Sequence, residues 1–368
     1  MSRVIVGLLA LAGCALFFAL GCGGGDSSDS ESERSTAPSP EPPSGDASRR
    51  FLDTYVAEDG RVRRVDQGDD TVGEGQAYGM LIAAAARDEE RFDAIWNWTK
   101  DNMRRPDGLI SFLWRDGKVE DPEAASDADV DAARALLAAS CRFERPELRE
   151  EALELGRAIL AKETASFQDT PVLVAGPWAR TDPITLNPSY FSPATFAALG
   201  EASGNGDWGS LSASSRAVTD LLMPAPAALP PDWASVQGDE PVPTGPPSDP
   251  EATPQYGFDA VRTLVRLAED PDPAGREIAA RAWPAFEGRE TADIPVEHDL
   301  SGKPTGDTLH PIPLVAAAGA ADAAGKTAER DRLLGAAEAL DQQSPTYYGA
   351  AWVALGRIML TSDDLDCP

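Results

Sequence analysis

Basic residues are scarce in this chain: 32 Lys and Arg stand against 61 Asp and Glu over 368 residues, leaving a net charge of −29 and a pI near 4.3. A surface so acidic repels a phosphate backbone, which needs clustered Lys and Arg, so nucleic acid is excluded as a partner. Histidine is almost absent. His298 and His310 are the two present, without ligand-like spacing, so neither a zinc site nor any other metal or cofactor is expected. Of four cysteines only Cys141 and Cys367 fall in the part expected to fold. Two cysteines make no disulfide framework, and although an oxidising compartment would permit a bridge, Cys141 on a helix reads more simply as a small buried hydrophobe. Strand-like alternation is scarce as well, which leaves helices as the main material.

Hydrophobic residues make up 42% of the chain and there are eight Trp, enough for a sizeable core in one large domain or two ordinary ones. Met1-Ser2-Arg3, an apolar run from Val4 to Leu20 and Ala19-Leu20-Gly21-Cys22 resemble a bacterial lipoprotein signal, in which Cys22 would carry the lipid. Leu11-Ala12-Gly13-Cys14 fits the lipobox better, but cleavage there would leave Ala15 to Leu20 as an exposed apolar stub. An uncleaved anchor is the alternative, although the run is slightly short of the roughly 20 residues a span needs. Residues 23–48 are Gly, Ser, Pro and acids without an aromatic, a composition that cannot offset its own ordering entropy and is expected to be a tether. The organisation is thus a signal peptide over 1–22, a linker over 23–48 and a folded domain over 49–368. The address is the cell envelope or outside it, with membrane contact only through the lipid.

Apolar residues recur at helical spacing near 48–57, 75–88, 89–103, 127–143, 146–163, 190–203, 207–224, 257–270, 273–287, 311–324, 327–341 and 345–361. An even number of paired helices suits an all-α toroid with apolar inner and amphipathic outer members. The long loops 104–124, 164–189, 225–256 and 288–310 are the expected carriers of function.

Acidic residues open three of these helices: Glu74 in Gly73-Glu74-Gly75-Gln76-Ala77-Tyr78-Gly79-Met80, Asp127 in Ala125-Ser126-Asp127-Ala128-Asp129, and Asp259 in Phe258-Asp259-Ala260-Val261-Arg262. A helix start offers free N–H groups and the positive end of a dipole, so each acid has an ordinary reading as a first-turn charge, and Asp127 and Asp129 as caps. Arg262 has the ordinary reading of an i,i+3 partner of Asp259. Trp96 and Trp98 read as packing, whereas Trp114 and, after it, Trp233 are candidate substrate contacts. Asp69-Asp70 reads as a solvated loop.

These segments in this order resemble glycoside hydrolase family 8. Gly60-Arg61-Val62 with Asp66, the Glu74 segment, Trp96-Asn97-Trp98-Thr99, the Asp127 segment through Ala133, Asn187-Pro188-Ser189-Tyr190-Phe191, Pro231-Asp232-Trp233, the Asp259 segment and Tyr347-Tyr348 all match. The departures are Gly73, where Ser is commoner, and Ala132, where a larger aliphatic is usual. The resemblance implies an (α/α)6 barrel and inverting hydrolysis of β-1,4-linked polysaccharide. Glu74 would be the general acid and Asp259 the general base, with Asp127 positioning the sugar or serving as the alternative base. Tyr190 would position the attacking water. Arg262 would orient Asp259. The base at Asp259 resembles the glucanase and xylanase branch more than the chitosanases; glucan is the expected substrate with xylan or chitosan as alternatives, and the protein is expected to act as a monomer. The compact size and envelope address also resemble the glucanases that accompany bacterial cellulose synthesis. A silent saccharide-binding lipoprotein would lack the acid or the base, and both are present.

Overall fold

A computed structural model of the protein describes residues 43–367 apart from Asp239. The expected signal peptide, Cys22 and the tether up to residue 42 lie outside the described residues. Twelve helices are found among the described residues: α1 Pro43–Tyr55, α2 Gly73–Ala85, α3 Glu89–Asn102, α4 Ser126–Arg142, α5 Pro146–Lys162, α6 Pro193–Ser203, α7 Asp207–Leu222, α8 Val261–Ala268, α9 Pro273–Arg281, α10 Pro311–Ala323, α11 Thr327–Gln343 and α12 Tyr347–Thr361. Each matches one segment expected from the apolar spacing. α1 includes the last six residues, 43–48, of the stretch read as tether.

Local chemistry explains where these helices start. Asp88, Asp272 and Thr346 accept N–H groups of the first turns of α3, α9 and α12, and proline begins α5, α6, α9 and α10, where its missing N–H costs nothing. α6 stops at Gly204, whose φ of 68° is the left-handed cap that glycine adopts without strain.

The even-numbered helices form a closed ring. Each touches the next, and α12 returns to α2, while α3, α5, α7, α9 and α11 pack outside their predecessors and α1 packs on α12. This is the (α/α)6 barrel. Inner helices are buried on nearly every side, as in α10 from Pro311 through Ala321, whereas outer α5 buries only the stripe Leu148, Ala152, Leu155, Gly156 and Ile159. The inner helices all begin at one end, because residues at or just before their starts meet one another there.

Among the described residues eight short strands decorate this helical frame, all in its loops. β1 Thr71–Val72 pairs with β2 Leu113–Arg115, and β2 with β3 Lys118–Asp121; β4 Thr164–Phe167 and β5 Thr170–Leu173 make a hairpin. β6 Ile184–Leu186, β7 Trp233–Gln237 and β8 Glu240–Thr244 form the third sheet. Three of the long loops are therefore partly structured.

Two sequence readings are corrected. Cys141 and Cys367 form a disulfide with Cα atoms 5.7 Å apart, tying the end of the chain to the end of α4, so Cys141 is not a plain buried hydrophobe. Asp70 is fully buried rather than solvated, because Arg64 and Arg115 both reach its carboxylate, at 2.7 and 2.8 Å. Asp69 does face solvent and pairs with Arg63.

Candidate active site

Strand β1 feeds directly into α2 and sets down Glu74 in its first turn. Of the 13 residues of α2 only Glu74 escapes full burial. The glycines on either side fit a crowded place in this chain: a Cβ at Gly75 would lie 2.6 Å from the Tyr347 hydroxyl, and one at Gly73 2.9 Å from the Ser111 carbonyl. The acid is thereby held against the wall of the ring with one face open.

Arg262, in the first turn of α8, gathers the other candidates. Its Nη1 donates to Glu74 Oε2 at 3.1 Å and to Asp127 Oδ2 at 2.9 Å, and Nη2 donates to Asp259 Oδ1 at 2.7 Å. Nη1 also meets the Tyr78 hydroxyl at 3.0 Å, and that hydroxyl donates towards Glu74 Oε2 at 3.4 Å. The Tyr190 ring lies under the guanidinium, 5.2 Å from its centre. Three acids from three separate helix starts thus share one cation.

Exposure separates their roles. The side chains of Arg262 and Asp127 are 1% and 3% exposed, whereas those of Glu74 and Asp259 are 21% and 33% exposed. Burial, followed by the charge of Asp127, pushes the Glu74 carboxyl up to about 8 against the pull of Arg262. Burial also raises Asp127, with Arg262 opposing. The Tyr190 phenol is held well above its ordinary value by burial and by Asp127 and Asp259, so it stays a neutral hydroxyl.

A cavity of about 430 Å³ opens over Glu74 and Asp259, walled by Phe258, His310, Tyr347 and Tyr348. His310 hydrogen-bonds Thr346 through Nε2 and accepts the Ile312 N–H at Nδ1, and burial lowers its imidazole to about 4, so it is a neutral helix cap. Among the described residues no cluster of His, Cys, Asp or Glu is arranged to hold a metal ion.

The remaining candidates stand further off. Trp114 meets Trp98 edge to face, with ring centres 5.2 Å apart, and lies under the Arg61 guanidinium. It does not line the cavity. Trp233 packs edge-on against Tyr190 and so touches the site through that ring. The cap position of α4 is Ala125, not either acid: Asp127 accepts the first-turn N–H of Ala128 through Oδ1 at 2.9 Å while its Oδ2 reaches Arg262, and Asp129 accepts the Ile110 N–H at 3.0 Å. Tyr78 is not among the residues singled out from the sequence, although its place four residues after Glu74 puts both on one helix face.

The model of glycosyl hydrolases family 8 matches residues 42–357. The chain belongs to this family. Curated relatives of this family 8 chain include an endoglucanase of Xanthomonas axonopodis pv. citri (strain 306), 32% identical over 200 residues, a match spanning 51% of this chain and about half, 52%, of that relative's length. An endoglucanase of Escherichia coli (strain K12) is 30% identical over 269 residues, covering 68% of this chain and 70% of the relative. Among solved structures, the endo-beta-1,4-glucanase CMCax from Acetobacter xylinum superimposes with a TM-score of 0.72 at 25% identity, covering 86% of this chain and 97% of that one.

Proposed function

We propose that this family 8 chain is an endo-acting hydrolase of β-1,4-glucan that works by single displacement with inversion. The observation carrying this reading is one guanidinium shared by three carboxyl groups, two of which open onto a cavity. One arginine cannot neutralise three acids, so a proton is retained near neutral pH, and Glu74, raised to about 8, is its holder. Glu74 is the general acid that protonates the leaving glycosidic oxygen. Asp259, the most exposed of the three, is the general base that takes a proton from a water attacking the anomeric carbon on the opposite face. The two bind different terminal nitrogens of Arg262, and such a bridge suits a pair spaced to admit water, about 6.5–9.5 Å in inverting enzymes. Buried Asp127 anchors Arg262 and holds the sugar, and Tyr190 and Tyr78 supply neutral hydroxyls beside the reacting groups.

The test is reducing-end release from carboxymethylcellulose, xylan and chitosan, with the anomer of the first product read by NMR. Release of the α anomer from the cellulose derivative, lost in Glu74→Gln, is the expected result. A fully active Glu74→Gln protein overturns the mechanism, and release from xylan or chitosan alone moves the substrate.

For location, we infer a lipid tether at Cys22. No helix among the described residues is long and apolar enough to cross a membrane. Cys22→Ser should move the protein from the membrane to the soluble fraction of the envelope, and an unchanged distribution refutes the tether.

A further inference from the structure

The base candidate sits on a turn rather than inside a helix, and a fourth carboxylate occupies the middle of that turn. Asp232, just before β7, is 9% exposed. Its Oδ1 accepts the N–H of Gly257 at 2.9 Å and that of Ala260 at 2.8 Å, and Gln255 Nε2 donates to Oδ2 at 3.3 Å. Gly257 and Ala260 flank Phe258 and Asp259, so the chain bearing the base is wrapped around this side chain. A Cβ at position 257 would come within 2.6 Å of Asp232 Oδ2, so glycine is what lets the wrap close.

The neighbouring segments are pinned in turn. Tyr256 and His298 exchange backbone hydrogen bonds at 3.0 Å in both directions, fixing the entry to the turn. At its exit the Arg262 Nε donates to the Asp259 carbonyl at 3.4 Å. Between these points the N–H groups of Gly257 and Ala260 rely on Asp232. Burial and the charge of Asp259 push the Asp232 carboxyl up to about 6, so its location is electrostatically unfavourable. A carboxylate in such a place is retained for what its oxygens hold.

We propose that Asp232 is a positioning residue for the reaction: by accepting both flanking N–H groups it fixes the peptide units around Asp259, and so the direction in which that carboxylate meets the attacking water. The inference rests on Asp259 being the general base. A displacement of the base by about 1 Å is enough to cost roughly 10²-fold in rate. Substrate binding draws on the rest of the cavity and is unaffected.

The test uses Asp232→Ala, Asp232→Asn, Gly257→Ala and Asp259→Asn in the full chain, with kcat and KM on carboxymethylcellulose normalised to the folded fraction. Asp232→Ala should lower kcat about 10²-fold with KM unchanged, and Asp232→Asn, whose amide oxygen accepts the same two N–H groups, should restore most of it. Gly257→Ala, which presses a methyl group onto the same carboxylate, should also lower kcat, and it carries the test should the Asp232→Ala protein not fold. Wild-type kcat in Asp232→Ala or, where that protein does not fold, in Gly257→Ala, or equal losses in Asp232→Ala and Asp232→Asn, overturns the proposal while an inactive Asp259→Asn leaves the base in place. An active Asp259→Asn protein removes the base reading and this inference together.

Discussion

Charge clusters are stacked between inner helices α4 and α8, and α2 joins them at the open end through Glu74. At the open end Arg262 faces Glu74, Asp127 and Asp259; one turn further along α8, Arg266 pairs with Asp131 at 2.6 Å, and beyond that Glu269 pairs with Arg134 at 2.8 Å. The lower rungs are buried and matched one to one. The upper one has three acids for one cation and opens to a cavity. Identical residue types at the same helical spacing thus give neutral crossbars in one place and an unbalanced proton-holding site in the other. Stoichiometry and access make the difference, rather than the presence of buried ion pairs.

The largest effect should come from breaking the imbalance. Glu74→Gln or Asp259→Asn is expected to lower kcat by about 10²–10⁴-fold, as loss of a general acid or base does, with the unfolding midpoint retained. The lower rung should show the opposite pattern. Arg266→Met leaves Asp131 buried without its cation and should cost about 3–5 kcal/mol in urea unfolding with kcat per folded molecule unchanged. Adding Asp131→Leu should recover most of that stability, since Arg266 Nε and Nη1 and Asp131 Oδ1 already lack hydrogen-bond partners. The matching double change above, Arg262→Met with Asp127→Leu, should recover no activity.

Smaller in free energy is the disulfide. Replacing Cys141 and Cys367 by serine should cost about 2–4 kcal/mol in the same unfolding assay, leaving kcat intact. Smallest is a shift of pH profile. With Glu74 at about 8, kcat/KM should fall as pH rises past that value. In Asp127→Asn a negative neighbour is gone, so any residual activity should show this alkaline limb at lower pH. The same shift has a stability counterpart: relative to a free carboxyl near 4.5, the folded state holds the Glu74 proton more tightly. Its contribution is complete below about 4.5 and is lost as pH rises through about 8, and Glu74→Gln should flatten that slope.

Local chemistry made much of this readable in the sequence. All twelve helices follow from apolar spacing, and the Asp259–Arg262 pair from residues three apart. The reach of Arg262 to Glu74 and Asp127, 188 and 135 residues away, exists only once the ring closes. Asp127 looks like a cap because the sequence cannot show that Ala125 already stands at that position. Asp70 looks solvated because Arg115, 45 residues on, is brought to it by the β1–β2 pairing. Asp232 is equally opaque, since its partners are backbone N–H groups, which any sequence supplies. The Cys141–Cys367 bridge spans 226 residues, and helical spacing says nothing about which helix end the chain terminus meets.

The closure of the ring also sets a timetable. As the chain emerges from its N-terminus, Glu74 and Asp127 can take their helical places long before α8 exists, and until Arg262 arrives they have no shared cation. Helix α1 waits longer still, because α2 gives it only a small part of its packing and most of it comes from α12. A full-length chain whose helices form before the ring closes would display helical circular dichroism without the Arg262-centred charge arrangement, and recovery of activity during refolding should lag behind recovery of helix.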